Sequence, residues 1–181
     1  YKVEGKEVTG KDLSKVVSKI KGEKGTTVEL TVLRGENAKE VTVTATRDTV
    51  QAQTIEYKLM DDKIGYIRVS EFDTVTYDQY EEALDDLEKQ GMTGLVVDLR
   101  NNPGGSLSTV CDMLDLMLPK GLIVYTEDKD GKKTEMKSDE EHQFTKPLAV
   151  LVNGNSASAS EIYSGAIQDY GIGKIVGTQT Y

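Results

Sequence analysis

Two short segments of this sequence combine residue types that could do covalent chemistry. One is Asn153-Gly154-Asn155-Ser156-Ala157-Ser158-Ala159-Ser160-Glu161, three serines alternating with alanine just before a run with helical spacing. A serine at a helix N-terminus sits beside unpaired backbone N–H groups and the positive end of the helix dipole. Its hydroxyl can attack a carbonyl carbon while neighbouring N–H groups hold the negative oxygen that forms. The plainer reading is that Ser156 or Ser158 is an N-cap. The other segment is Asp98-Leu99-Arg100-Asn101-Asn102-Pro103-Gly104-Gly105. Its paired glycines would let backbone N–H groups approach a ligand closely; they would equally suit a tight strand-to-helix turn.

A serine nucleophile needs a base, and the sequence offers no convincing one. The single histidine, His142, lies in the polar stretch SDEEHQF and reads as a surface loop residue. A lysine serves when its amine is neutral. Lys174 is the first lysine after Ser158, but it opens a strand, where a solvated side chain is the ordinary expectation. The lone cysteine, Cys111, falls on the apolar stripe of a helix and reads as core. It can form no internal disulfide and no Cys-rich zinc site. No metal or cofactor is expected.

The elements around these segments place both at the same end of a sheet. Gly94–Leu99 and Leu148–Asn153 are nearly all apolar, as strands buried on both faces are. Each runs straight into one of the loops, and a helix follows: Leu107, Val110, Cys111, Leu114 and Leu118 mark one, and Ile162, Ala166, Ile167 and Tyr170 the other, from about Ala157. Ligands of α/β sheets bind just past such carboxyl ends. Before them come a strand at Ile64–Val69 and a helix marked by Tyr80, Ala83, Leu84 and Leu87, with Thr76 placed to cap it. Leu122–Thr126 and Lys133–Met136 flank the turn Asp130-Gly131, and Lys174–Val176 is a last strand. Residues 63–181 therefore read as an α/β core. Residues 48–62 are polar with a short apolar stretch and read as a connecting segment, a linker or a connecting strand. Residues 1–47 are a separate unit: a strand end at Tyr1–Val3, a short helix through Leu13, Val16, Val17 and Ile20 ended by Gly22 and Gly25, and a hairpin of Thr27–Arg34 with Lys39–Arg47.

Bulk composition excludes some functions. The chain has 181 residues, 37% hydrophobic and 29% charged, an ordinary globular balance. Its formal net charge of -9 argues against nucleic acid as a partner, since phosphate binding needs a basic face.

The segments IGYIRVSEF, GMTGLVVDLRNNPGG and PLAVLVNGNSASASEI resemble, in this order, the tail-specific (carboxyl-terminal processing) serine proteases. The stretch VEGKEVTGKDLSKVVSKIKGEKGTTVELTVLR resembles the second half of their PDZ domain. The resemblance implies a layered core related to crotonase and Clp-type proteases, preceded by a partial PDZ-like unit. It implies Ser158 as nucleophile and an oxyanion hole from the N–H of Ala159 with that of Gly104 or Gly105. It implies a catalytic lysine in a Gly-Lys-Gly motif, with an orienting glutamine, at positions that fall after Tyr181. The carboxylate-binding part of the PDZ domain falls before Tyr1. On that basis the chain is a fragment truncated at both ends and inactive by itself. Protein substrates with apolar C-terminal tails are the expected partners, a homo-oligomer is compatible, and the expected location is the bacterial cell envelope, periplasm or exterior, with membrane anchoring through an N-terminal segment not in this chain. A catalytically silent peptide-binding scaffold of the same fold is the alternative. A crotonase-type enzyme acting on acyl thioesters is a third reading.

Overall fold

The computed structural model describes residues 1–139 and 141–181 and divides the chain into two units, Tyr1–Gln51 and Ala52–Tyr181.

In the first unit, β1 (Lys2–Val3), β2 (Lys6–Glu7), β3 (Thr27–Arg34) and β4 (Lys39–Thr46) form an antiparallel sheet in the order β2-β1-β3-β4. Helix α1 (Leu13–Ile20) begins on Asp12, whose carboxylate accepts the Lys15 N–H at 3.2 Å. Its end differs from the expected glycine stop. The chain leaves α1 in extended form at Lys21, and Arg47 caps it instead, donating from Nε to the Ile20 carbonyl at 2.7 Å. The same guanidinium donates to the Thr27 carbonyl at 2.7 Å. Gly22 leaves room for it, because a Cβ there would lie 2.7 Å from Arg47 Nε. No residue of α1 is buried, so its apolar stripe finds little to pack on.

The second unit is a mixed α/β fold. Its main sheet has the order β11-β10-β7-β6-β5, from β5 (Ile55–Leu59), β6 (Ile64–Val69), β7 (Gly94–Asp98), β10 (Leu148–Val152) and β11 (Lys174–Gly177). Strands β6, β7, β10 and β11 are parallel, and β5 runs antiparallel along the β6 edge. Of the two readings of residues 48–62, a linker or a connecting strand, the strand holds for Ile55–Leu59, anchored by Ile55, which is buried. The crossovers carry α2 (Thr76–Lys89), α3 (Leu107–Asp115) and α4 (Ala159–Asp169). Each joins neighbouring strands in the same direction across the sheet. Right-handed connections then put all three helices on one face, where α2 packs on α3 and α3 on α4. Alternate strand residues, among them Ile67, Val69, Leu95, Val97, Val150 and Val152, form the core under these helices.

One local expectation differs, and the expected second hairpin is present. Thr76 is not an N-cap but the first residue of α2, and it is buried. Its hydroxyl donates to the Glu71 carbonyl, accepts the Asp73 N–H and pairs with the Thr54 hydroxyl at 2.8 Å. The second hairpin, β8 (Gly121–Glu127) with β9 (Lys133–Ser138), closes through a longer loop than Asp130-Gly131 alone. Asp128 organises that loop by accepting the N–H groups of Asp130 and Lys132, each at 2.9 Å. No helix among the described residues is long and apolar enough to cross a membrane.

Candidate active site

Four parallel strands end on the same edge of the sheet, so the loops after β6, β7, β10 and β11 meet there. The loop after β7, residues 99–106, and the loop after β10, residues 153–158, are laced together through asparagine. Asn101 accepts from the side-chain amides of Asn153 and Asn155, at 3.0 and 2.9 Å. Asn153 Oδ1 accepts the Asn101 N–H at 3.0 Å. Asn102 is fully buried. Its amide donates to the Val69 carbonyl at 2.9 Å, and its backbone carbonyl accepts the Ala157 N–H at 3.1 Å. One residue, through its side chain and its backbone carbonyl, therefore ties together the ends of three strands.

The three serines separate cleanly. Ser156 and Ser160 are fully buried and point at the neighbouring loop. Ser156 Oγ donates to the Leu99 carbonyl at 2.7 Å, and Ser160 Oγ donates to the Asn102 carbonyl at 3.0 Å. Ser158 is exposed and stands as the N-cap of α4. Its backbone is at φ 53°, ψ -114°, a sharp strand-to-helix turn in a region that side-chain-bearing residues rarely adopt. The Glu161 N–H lies where a capping serine hydroxyl would accept it, but it is donated to the Ser158 carbonyl at 2.8 Å. The hydroxyl makes no cap hydrogen bond and stays available. Glu161 completes its own half of the capping box, accepting the Ser158 N–H on Oε2 at 2.8 Å.

Gly104 lies against this turn. A Cβ there would sit 2.7 Å from the Ala157 carbonyl oxygen, 2.8 Å from Ser158 Cβ and 3.0 Å from the Ala159 nitrogen. Gly105 is held against Phe72, where a Cβ would fall 2.2 Å from the carbonyl oxygen. Phe72 donates to the Gly104 carbonyl at 2.9 Å and accepts the Ser106 N–H at 2.7 Å. The two glycine N–H groups differ. That of Gly104 donates to Asn102 Oδ1 at 2.8 Å. Neither the Gly105 N–H nor the Ala159 N–H donates a hydrogen bond among the described residues.

Beneath the site, α2 and α4 are joined by Tyr80 and Tyr163, both fully buried, whose hydroxyls meet at 2.8 Å. Burial pushes both phenols well above their ordinary range. At its rim, Asp98 is almost fully buried at the end of β7. It accepts Arg100 Nε at 2.9 Å, a terminal guanidinium nitrogen at 2.6 Å and the Tyr66 hydroxyl at 2.7 Å. Burial pushes this carboxyl up, but the Arg100 and Tyr66 hydrogen bonds outweigh it and hold it below its usual value.

No base stands beside Ser158 among the described residues. Lys174 is exposed and pairs with Ala149 at the start of β10, so it lies at the opposite edge of the sheet from the loops. His142 is an exposed loop residue. Cys111 is buried with its sulfur 3.3 Å from that of Met136, and burial raises its thiol pKa, the reverse of what a nucleophile needs. No group of three or more acidic, histidine or cysteine side chains among the described residues could hold a metal.

Asn102, Glu161, Thr180 and the Asp98–Arg100 pair were not singled out by residue type. The spacing Ser158-x-x-Glu161 is a capping-box signature and could have flagged Glu161. Nothing local distinguishes Asn102 from Asn101.

Comparison with known proteins converges on one family. The model of peptidase family S41 matches residues 63–181. The carboxy-terminal processing protease CtpA of Bacillus subtilis is 36% identical over 181 residues, which cover 99% of this chain and 39% of that protein. The carboxyl-terminal-processing protease of Synechocystis is 36% identical, covering 99% of this chain and 43% of the relative. This chain thus spans less than half the length of either. Among solved structures, a photosystem II D1 C-terminal processing protease superposes with a TM-score of 0.65 at 30% identity, over 99% of this chain and 50% of that one.

Proposed function

The chain belongs to peptidase family S41, and from that premise we propose that it carries the nucleophile and oxyanion site of a serine endopeptidase that cleaves proteins selected by their C-terminal tails. One observation carries the reading: of three neighbouring serines, only Ser158 is exposed, and it is held in a strained turn against the Gly104 backbone. In this reading Ser158 Oγ gives its proton to a base and attacks the scissile carbonyl; the C–N bond breaks, the amine of the downstream fragment leaves with that proton, and water hydrolyses the acyl-enzyme to a new carboxyl terminus and free Ser158. The Ala159 N–H is one oxyanion donor. Gly105 is the better second donor, because the Gly104 N–H is engaged by Asn102. The core has the layering of crotonase and Clp-type proteases. The first unit is the PDZ-like part, and an apolar recess lined by Ile20, Val28, Leu30, Ala45 and Val50 suits it to apolar tails. The similar proteins of Bacillus subtilis and Synechocystis are carboxyl-terminal processing proteases, which supports this choice of substrate. An exported, envelope-located protein that can self-associate fits the same reading.

The resemblance assigns the general base to a lysine in a Gly-Lys-Gly motif, and among the described residues Lys174 does not take that role, because it lies at the opposite edge of the sheet from Ser158. A silent peptide-binding scaffold of the same fold is the second reading. Both are tested by incubating the protein, as its gene encodes it, with an unstructured protein ending in an apolar tail, beside a version ending in charged residues. The peptidase reading expects cleavage of the apolar-tailed substrate, abolished by Ser158→Ala. Binding without cleavage supports the scaffold, and cleavage that survives Ser158→Ala removes Ser158 from the mechanism.

A further inference from the structure

An oxyanion donor works only if its N–H is aimed before the charge develops. The Gly104–Gly105 peptide has little of its own to hold that aim. Both residues lack a Cβ and sit at positive φ, 104° and 139°, so the peptide plane between them can turn over at small cost. Turned over, it would present the Gly104 carbonyl to an oxyanion in place of the Gly105 N–H. The neighbouring segment decides the orientation. Phe72 and Gly105 form a parallel bridge just past the end of β6. In it the Phe72 N–H donates to the Gly104 carbonyl at 2.9 Å, and the Phe72 carbonyl accepts the Ser106 N–H at 2.7 Å. The Gly104–Gly105 peptide is trans, so its N–H points opposite to its carbonyl. With the carbonyl on Phe72, the Gly105 N–H is turned away from Phe72, on a loop whose Gly104 borders the Ser158 turn. The flipped peptide would instead set the Gly105 N–H against the Phe72 N–H, two donors with no acceptor between them.

The Phe72 side chain ties this arrangement to the helix that Ser158 begins. It is buried, and its ring centre lies 6.5 Å from that of Tyr163 on α4, with the planes tilted by 34°. Tyr163 in turn meets Tyr80 of α2 edge-on at 6.5 Å. The segment is also fixed just before Phe72. The Ser70 N–H donates to the Thr54 carbonyl at 2.9 Å, and the Glu71 carbonyl accepts the Thr76 hydroxyl at 3.1 Å. We propose that Phe72 is a positioning residue for the oxyanion hole: its N–H locks the Gly104–Gly105 peptide with the Gly105 N–H toward the site, and its ring registers that loop on α4. The proposal rests on Ser158 as nucleophile and Gly105 as second donor. Phe72 touches neither substrate nor reacting atoms; it acts through the Gly104 carbonyl. Its effect therefore falls on the step in which negative charge develops and not on substrate affinity.

The experiment uses the protein as its gene encodes it, with cleavage of an apolar-tailed peptide as the readout. Phe72→phenyllactic acid keeps the ring and the carbonyl and replaces only the backbone N–H by an ester oxygen. It is expected to lower kcat by about 10²-fold with KM nearly unchanged, the scale of one lost oxyanion donor. A peptide aldehyde, whose adduct with Ser158 places an oxyanion in the hole, should bind more weakly by about the same factor. The peptide amide of the same sequence, which binds without reacting, should keep its affinity. Phe72→Leu retains the N–H and loosens the ring contact; it should show the same split at about 10-fold, and it carries the test if the ester variant does not fold. Unchanged kcat in the ester variant, or aldehyde and amide affinities that fall together, overturns the lock. Two controls separate it from the reading beneath it. Cleavage that survives Ser158→Ala, or an aldehyde adduct whose oxygen crystallography finds away from the Gly105 N–H, defeats the site assignment and the lock together. An adduct on Ser158 with its oxygen on Gly105, beside a fully active ester variant, defeats the lock alone.

Discussion

At the residue scale, the central feature is one serine kept in an unfavourable backbone conformation. Strain of this kind costs roughly 1–3 kcal/mol. It should be recoverable by glycine, which adopts positive φ without a Cβ penalty. We expect Ser158→Gly to raise unfolding stability by about 1 kcal/mol while abolishing cleavage, measured by urea denaturation beside the peptide assay. A glycine variant less stable than wild type would mean that the turn is not strained. The glycines opposite make the converse case. Gly104→Ala drives a methyl group into Ser158 Cβ and the Ala157 carbonyl. It should cost activity more than stability. Gly105→Ala meets the Phe72 backbone at 2.2 Å and should cost the fold more, as the midpoints of the two unfolding curves will show. Some of this was legible in the sequence. The paired glycines announced a close backbone approach, which Gly104 and Gly105 make, whereas the alternating serines left an N-cap and a nucleophile both open. Which N–H remains free was not legible, because it depends on Asn102 folding its side chain back onto Gly104.

At the element scale, the loops are held by what lies under them. Tyr80 on α2 and Tyr163 on α4 share a hydrogen bond in a position with no access to water. Tyr163→Phe leaves the Tyr80 hydroxyl with only the Met117 sulfur, at 3.3 Å. It should destabilise the unit by roughly 1–3 kcal/mol, the cost of depriving a buried polar group of its partner. Removing both hydroxyls should cost less than the sum of the single changes, and a double-mutant cycle in urea measures the difference. A fully additive cycle would mean that the pair is not coupled. Helices and buried strands were read from periodicity with little error, because the parallel strands are continuous apolar runs. The failures are local and share a cause. Thr76 looked like a cap because its type favours one, but a tertiary partner, Thr54, claimed its hydroxyl. Residues 55–59 could be read as a linker or as a strand because β5 is an edge strand, exposed along much of its length, and its pairing with β6 decides for the strand.

At the scale of the whole molecule, charge and organisation set two expectations. Asp98 is nearly buried and its carboxyl is held below its ordinary value, so the folded state binds its proton less readily than the unfolded state. Its contribution is therefore present above the unfolded value of about 4 and is lost as pH falls further. Stability should decline in acid below about pH 4, and Asp98→Asn should flatten that part of the profile. An unchanged profile in the variant would assign the acid sensitivity elsewhere. The second expectation is that Lys174 is not the base, so Lys174→Ala should leave cleavage unchanged in the protein as its gene encodes it. A serine hydroxyl is a weak nucleophile without a base, and Lys174 starts its strand at the wrong edge of the sheet. The central claim, that Ser158 is the nucleophile, is tested most directly by trapping it. The protein as its gene encodes it is treated with a serine-reactive fluorophosphonate, and the adduct is mapped by mass spectrometry. One adduct is expected, on Ser158, with none on Ser156 or Ser160 and none in Ser158→Ala. An adduct on another residue that persists in Ser158→Ala would contradict it.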